Sequence, residues 1–143
     1  MAQRLSTHDL STAVRIAVAR LSRRLRAEKA DDELSDTQTS ALAFLVREGS
    51  GTIGQLSDHE RVKPPSMNRT INCLEEAGYV RRTPDADDGR KVVVVPTEQG
   101  LALVAETRRR RDAWLHKRLR TLTPEQRATL ADAAAILREL ADS

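Results

Sequence analysis

Two consecutive prolines, Pro64 and Pro65, stand in the middle of a chain that otherwise reads as one helix after another. Neither has an amide hydrogen, so both fit only the first turn of a helix, where that hydrogen would have no intrahelical partner. Lys63-Pro64-Pro65-Ser66 therefore predicts a helix start, and the helix runs to about Ala77. Gly78 then occupies the place that favours a left-handed C-terminal cap. Just upstream, Thr52 is suited to cap a short helix through Ile53 and Leu56, so two short helices meet in a tight turn. Tyr79 to Pro84 and Lys91 to Pro96 follow as short β-prone runs flanking the polar, turn-forming residues 85–90, a hairpin with a long tip.

The flanks are helical. Ser6, with Asp9 three residues on, opens a first long helix whose Leu10, Val14, Ala17, Leu21 and Leu25 fall on one narrow stripe, and Asp31-Asp32-Glu33 is read as its end. Ser35 or Asp36 opens a second, expected to bury Ala41, Leu42, Leu45 and Val46 and to stop at Gly49. Thr97 starts a fifth helix reaching about Arg120. Thr123-Pro124-Glu125 starts a sixth with Leu130, Ala134, Leu137 and Leu140 on one face. The expected fold is mainly α with a small β-hairpin wing (α+β), a winged helix-turn-helix of six helices. At 143 residues the chain suits one domain, 1–143, with the winged lobe at about 35–100. Helices at about 5–30 and 101–143 carry more apolar stripe than the lobe can cover, so they are expected to form a dimerisation region.

Charge distribution narrows the function. Lys and Arg number 24 against 21 Asp and Glu, a net charge of +3. The acids concentrate between 31 and 60, walled off from basic stretches at 4–29, 61–95 and 106–120. With 2% aromatic residues the chain is poorly equipped to stack single-stranded bases, so a nucleic-acid partner should be a duplex. The single Cys73 cannot form an internal disulfide, and no apolar run approaches the length of a membrane span. Both features point to a cytoplasmic protein without a membrane partner.

A helix that enters a DNA groove needs a face free of core duties. At 100° per residue, Met67, Ile71 and Leu74 point one way, while Pro65, Arg69, Asn72 and Glu76 point roughly opposite, with Ser66 and Asn68 on the flanks. An arginine can pair both acceptors of guanine, and an asparagine both groups of an adenine edge. Ser66 and the helix N-terminal amides can hold a phosphate. At the hairpin tip Asp88 stands two residues before Arg90 across Gly89, so a carboxylate can fix a guanidinium suited to a narrow A·T-rich minor groove. The alternative for each feature is an ordinary solvated surface.

From Lys63 to Ile71, Leu74 to Arg82, Asp85 to Arg90 and Thr97 to Gly100, the residues resemble the MarR family signature. The resemblance implies that the helix from Pro64 is the recognition helix, that Asp88 and Arg90 are the wing pair, and that the terminal helices interlock with a second subunit. Lys63, Pro65, Ser66, Asn68, Arg69, Asn72, Asp88 and Arg90 are the expected DNA-contacting residues. A homodimer would present its two recognition helices to a pseudo-palindromic operator. The family also implies a repressor released by a small-molecule effector, an aromatic acid among the candidates; from the residues alone, Arg15 or Arg20 could pair its carboxylate between lobe and terminal helices, and the ligand-binding residues are unknown. His8, His59 and His116 are scattered, so no metal site is expected. Cys73 lies on the shoulder of its helix and reads as a small packing residue. No phosphate loop, activated nucleophile or motif-placed carboxylate pair is present, so neither an enzyme nor a cofactor is expected. The competing class is a sequence-indifferent architectural DNA-binding protein.

Overall fold

Every helix except one begins on a Ser or Thr whose hydroxyl accepts a hydrogen bond from the amide three residues on. The computed structural model describes residues 4–143. Its elements are α1 (Thr7–Ala27), α2 (Asp36–Glu48), α3 (Ile53–Glu60), α4 (Pro64–Glu76), β1 (Val80–Pro84), β2 (Val92–Pro96), α5 (Glu98–Leu119) and α6 (Pro124–Asp142). Ser35 with Gln38, Thr52 with Gln55 and Thr123 with Gln126 form reciprocal capping boxes, each satisfying two amides that the helix leaves unpaired. The exception is α4, which opens on Pro64 and Pro65 behind Lys63 and has no side-chain cap.

Leu42 and Leu45 of α2, Leu56 of α3, Met67, Ile71 and Leu74 of α4, Val80 and Val94 of the hairpin are all buried in one core, to which α5 adds Val104. The three apolar positions of α4 are those expected from helical phase. Val46 is only partly buried, because it lies at the edge of the α2 face. The strands pair antiparallel with Val80 opposite Pro96 and Pro84 opposite Val92. Gly51 adds a minimal third strand, exchanging two backbone hydrogen bonds with Val94, which ties the α2–α3 turn to the wing.

Helix α1 ends at Ala27, earlier than the acidic triplet suggested, and α5 holds the chain at that end. Arg111 Nε donates to the Leu25 carbonyl and an Arg110 Nη1 to that of Lys29, satisfying carbonyls exposed at the end of α1. The backbone amide of Ala30 donates to Thr107 Oγ1 at 3.1 Å. Most of the arginine run at 108–111 is thus occupied with structure: Arg109 and Arg110 also hold the Glu106 carboxylate, whose pKa their hydrogen bonds draw down to about 2.

The lobe meets α5 at a close backbone approach. A Cβ on Gly100 would collide with the Tyr79 carbonyl, so only glycine lets the first turn of α5 sit against the chain leaving α4. Past Val104 and Thr107 of α5 no residue is buried: α1 and α6 bury none, and Leu10, Leu21, Leu130, Ile136, Leu137 and Leu140 are exposed.

Candidate nucleic-acid interface

α3 and α4 are joined through Arg61, which takes a left-handed backbone conformation (φ 55°), and Val62, whose amide bonds the Ser57 carbonyl. This turn sets α4 on the outside of the lobe. With Met67, Ile71 and Leu74 committed inward, Lys63, Pro65, Asn68, Arg69 and Asn72 are exposed and Ser66 is half-buried. The outward face is therefore assembled as the helical phase predicts.

Its hydrogen bonding departs from expectation in two places. Pro64 and Pro65 have no amide hydrogens, and the Ser66 and Met67 amides both donate to the Lys63 carbonyl. The start of α4 consequently offers no free amide to a phosphate, and of the expected anion site only the Ser66 hydroxyl remains. That hydroxyl accepts from an Arg69 Nη2 at 3.2 Å, which tethers the arginine along the helix. Asn68 donates its side-chain amide to the Pro64 carbonyl. The second departure is Asn72, whose Oδ1 is already taken by Arg82 Nη2 at 2.9 Å.

The wing also differs in detail. Asp88 Oδ1 accepts from the backbone amide of Arg90 at 3.1 Å, not from its guanidinium, so the carboxylate shapes the turn through the main chain. The Lys91 amide donates to the Asp88 carbonyl and the Asp85 amide to the Lys91 carbonyl, closing the tip. Arg90 is left exposed at the apex, its guanidinium making no ion pair among the described residues.

Two residues at the base of the wing were not anticipated. Arg82 Nη1 donates to Glu75 Oε1 at 2.8 Å, and the Arg82 amide to Glu75 Oε2, so β1 is clamped to the second half of α4. A readable signal existed: Glu75 and Arg82 flank the Gly78 turn, where a helix and strand fold back on each other. The neighbouring Tyr79 hydroxyl donates to Asp31 Oδ2 at 2.7 Å, linking the root of the wing to the α1–α2 segment. That bond to a carboxylate, with some burial, raises the tyrosine pKa to about 12. Cys73 is exposed, not packed, because the helix turns it past the core edge.

A partly open cavity of about 60 Å³ lies between α2 and α5, lined by Lys29, Leu42, Val104, Thr107, Arg108 and Arg111 among others. Arg15, expected near such a cavity, instead lines a groove between α1 and Leu140 of α6, and Arg20 lines neither.

Comparisons with known proteins agree with this architecture. A model described as the MarR family matches residues 34–92. An HTH-type transcriptional regulator of Mycobacterium tuberculosis is 44% identical over 133 residues, covering 93% of each chain. The solved structure of a MarR family protein from Bacillus stearothermophilus superposes with a TM-score of 0.82 at 22% identity, covering 95% of both chains. Staphylococcus aureus MepR bound to ethidium bromide superposes with a TM-score of 0.64 at 18% identity, covering 91% of this chain and 95% of that one. These relatives are transcription regulators, not enzymes.

Proposed function

Because the chain belongs to the MarR family and is a winged helix-turn-helix, DNA-binding transcription regulator, we propose that it acts as a homodimeric repressor on a pseudo-palindromic operator. The observation that carries this reading is the outward face of α4, joined by Arg82 to a wing whose Arg90 makes no ion pair among the described residues. Arg69 and Asn72, flanked by Lys63, Pro65, Ser66 and Asn68, enter the major groove, while Arg90, on a turn shaped by Asp88, enters the flanking minor groove. The exposed leucines of α1 and α6 meet their copies across a twofold axis. That axis sets the two α4 helices about one DNA turn, ~34 Å, apart.

A small anionic ligand at the α2–α5 cavity would release the DNA. At about 60 Å³ the cavity is well short of the ~150 Å³ that accommodates benzene, so an aromatic acid enters only by parting α2 from α5, and α2 carries the lobe with it. Lys29 and Arg111 are engaged with backbone carbonyls, whereas Arg108 makes no ion pair among the described residues and is the cation available to a carboxylate. MepR, in the structure with ethidium bromide, is a relative of this fold that holds a small aromatic molecule.

Selection of bound sites from random duplexes, with sedimentation of the free protein, tests the proposal. A palindromic consensus and a dimer are expected. A dimer that selects no consensus identifies a sequence-indifferent architectural protein instead, and a stable monomer removes the twofold operator.

A further inference from the structure

Arg82 stands at the root of the wing and reaches back to α4 at two points, Glu75 and Asn72. A guanidinium carries only donors, so the Asn72 side chain must turn its oxygen toward Arg82 and its NH2 away. Glu75 keeps the guanidinium there by accepting from Nη1 with one oxygen and from the Arg82 backbone amide with the other, which pins the arginine at both ends. Asn72 is exposed, and its Nδ2 has no partner among the described residues. An asparagine free to rotate reads adenine by accepting from N6 and donating to N7. Asn72 is held with its oxygen turned to the guanidinium, so although that oxygen keeps a second lone pair, the amide presents its NH2 donors outward.

We propose that Arg82 is a positioning residue that turns the Asn72 amide so that its donors face the base, and that one base in each half-site is thereby selected as a hydrogen-bond acceptor instead of as adenine. In the major groove adenine, guanine and thymine each present an acceptor, whereas cytosine presents only its N4 donors. The base beneath Asn72 is therefore any of the first three, and cytosine is excluded. This inference rests on the reading that α4 enters the major groove of an operator.

Site selection from random duplexes with the full-length wild type, Arg82→Met and Asn72→Asp tests it, each protein first checked for helicity and oligomeric state. The wild type should exclude cytosine at one symmetric pair of positions while tolerating the other three bases. Arg82→Met keeps the aliphatic stem but frees the Asn72 oxygen, so adenine should rise about tenfold at that pair alone. Asn72→Asp keeps an acceptor for Arg82 and replaces the donors with a second acceptor, so cytosine should become favoured there. Should Arg82→Met unfold, the exposed Asn72→Asp variant decides alone. A clear wild-type consensus whose base frequencies neither variant alters overturns this inference and leaves the operator reading standing. A wild type that selects no consensus overturns both.

Discussion

Leu45 in α2 is completely shielded from solvent, whereas Leu140 in α6 is 63% exposed, although both helices start on the same kind of capping box. Local sequence treats the two alike. What separates them is the partner: α2 is covered by α3, α4, α5 and β2 of its own chain, and α6 buries nothing. The lobe supplies its own cover. The terminal helices are formed by their caps and periodicity but are left with an apolar surface that the proposed second copy would cover, since propensity and capping seldom sustain helices of this kind without packing.

The strongest way to break this contrast is Leu137→Asp on α6. A twofold interface meets each substitution twice, so the loss should be about 3–6 kcal/mol of dimer stability from the leucines alone, before any cost of burying the carboxylate. Sedimentation equilibrium should show a monomer, and operator affinity should fall roughly a hundredfold or more as the second half-site is lost. Hydrogen exchange should then accelerate in α1 and α6 while α2 to α4 stay protected; uniform acceleration would show that the lobe depends on the dimer as well.

Next in size is Leu45→Ala, which should cost about 2–5 kcal/mol in urea unfolding through the cavity it leaves. Gly100→Ala probes the junction between the two regions. Its methyl would meet the Tyr79 carbonyl, and about 1–3 kcal/mol should be lost, with the near-ultraviolet signal of Tyr79 altered. Smallest is Tyr79→Phe, which removes the bond to Asp31 and about 1 kcal/mol. It also has a pH signature. The folded pKa lies above the unfolded 10.0, so the wild type holds this stabilisation below about pH 10 and loses it as pH rises toward 12. The phenylalanine variant should lack that alkaline decline, which unfolding curves at pH 8 and 11 would compare.

Where the chemistry of a residue is local, it was readable in advance. The capping Ser and Thr residues, Gly78 after α4, the proline start and the inward Met67-Ile71-Leu74 face all follow from neighbours within four positions. What escaped reading depends on pairs brought together by the fold. Arg111 reaches the Leu25 carbonyl in the last turn of α1 and Arg110 that of Lys29 just beyond it, each more than 80 residues away. Asp31 meets Tyr79 across 48 residues, and Arg82 meets Asn72 across the helix-to-strand turn. The Asp88 bond went to a backbone amide because an aspartate two residues before a turn amide is closer to it than to a mobile guanidinium. The free-amide expectation at α4 failed through the same two prolines that located the helix.

Those prolines carry a consequence for how this protein's targets change over evolutionary time. In the proposed interface a helix whose tip has no spare main-chain donors would anchor to DNA through side chains alone, and side chains are what point mutations replace. The backbone does not have to be renegotiated when Lys63, Ser66 or Arg69 is exchanged, since none of them caps the helix through its side chain and none belongs to the core. In that interface binding preference is separable from foldability, since the side chains that would set it are not the ones that hold the lobe together.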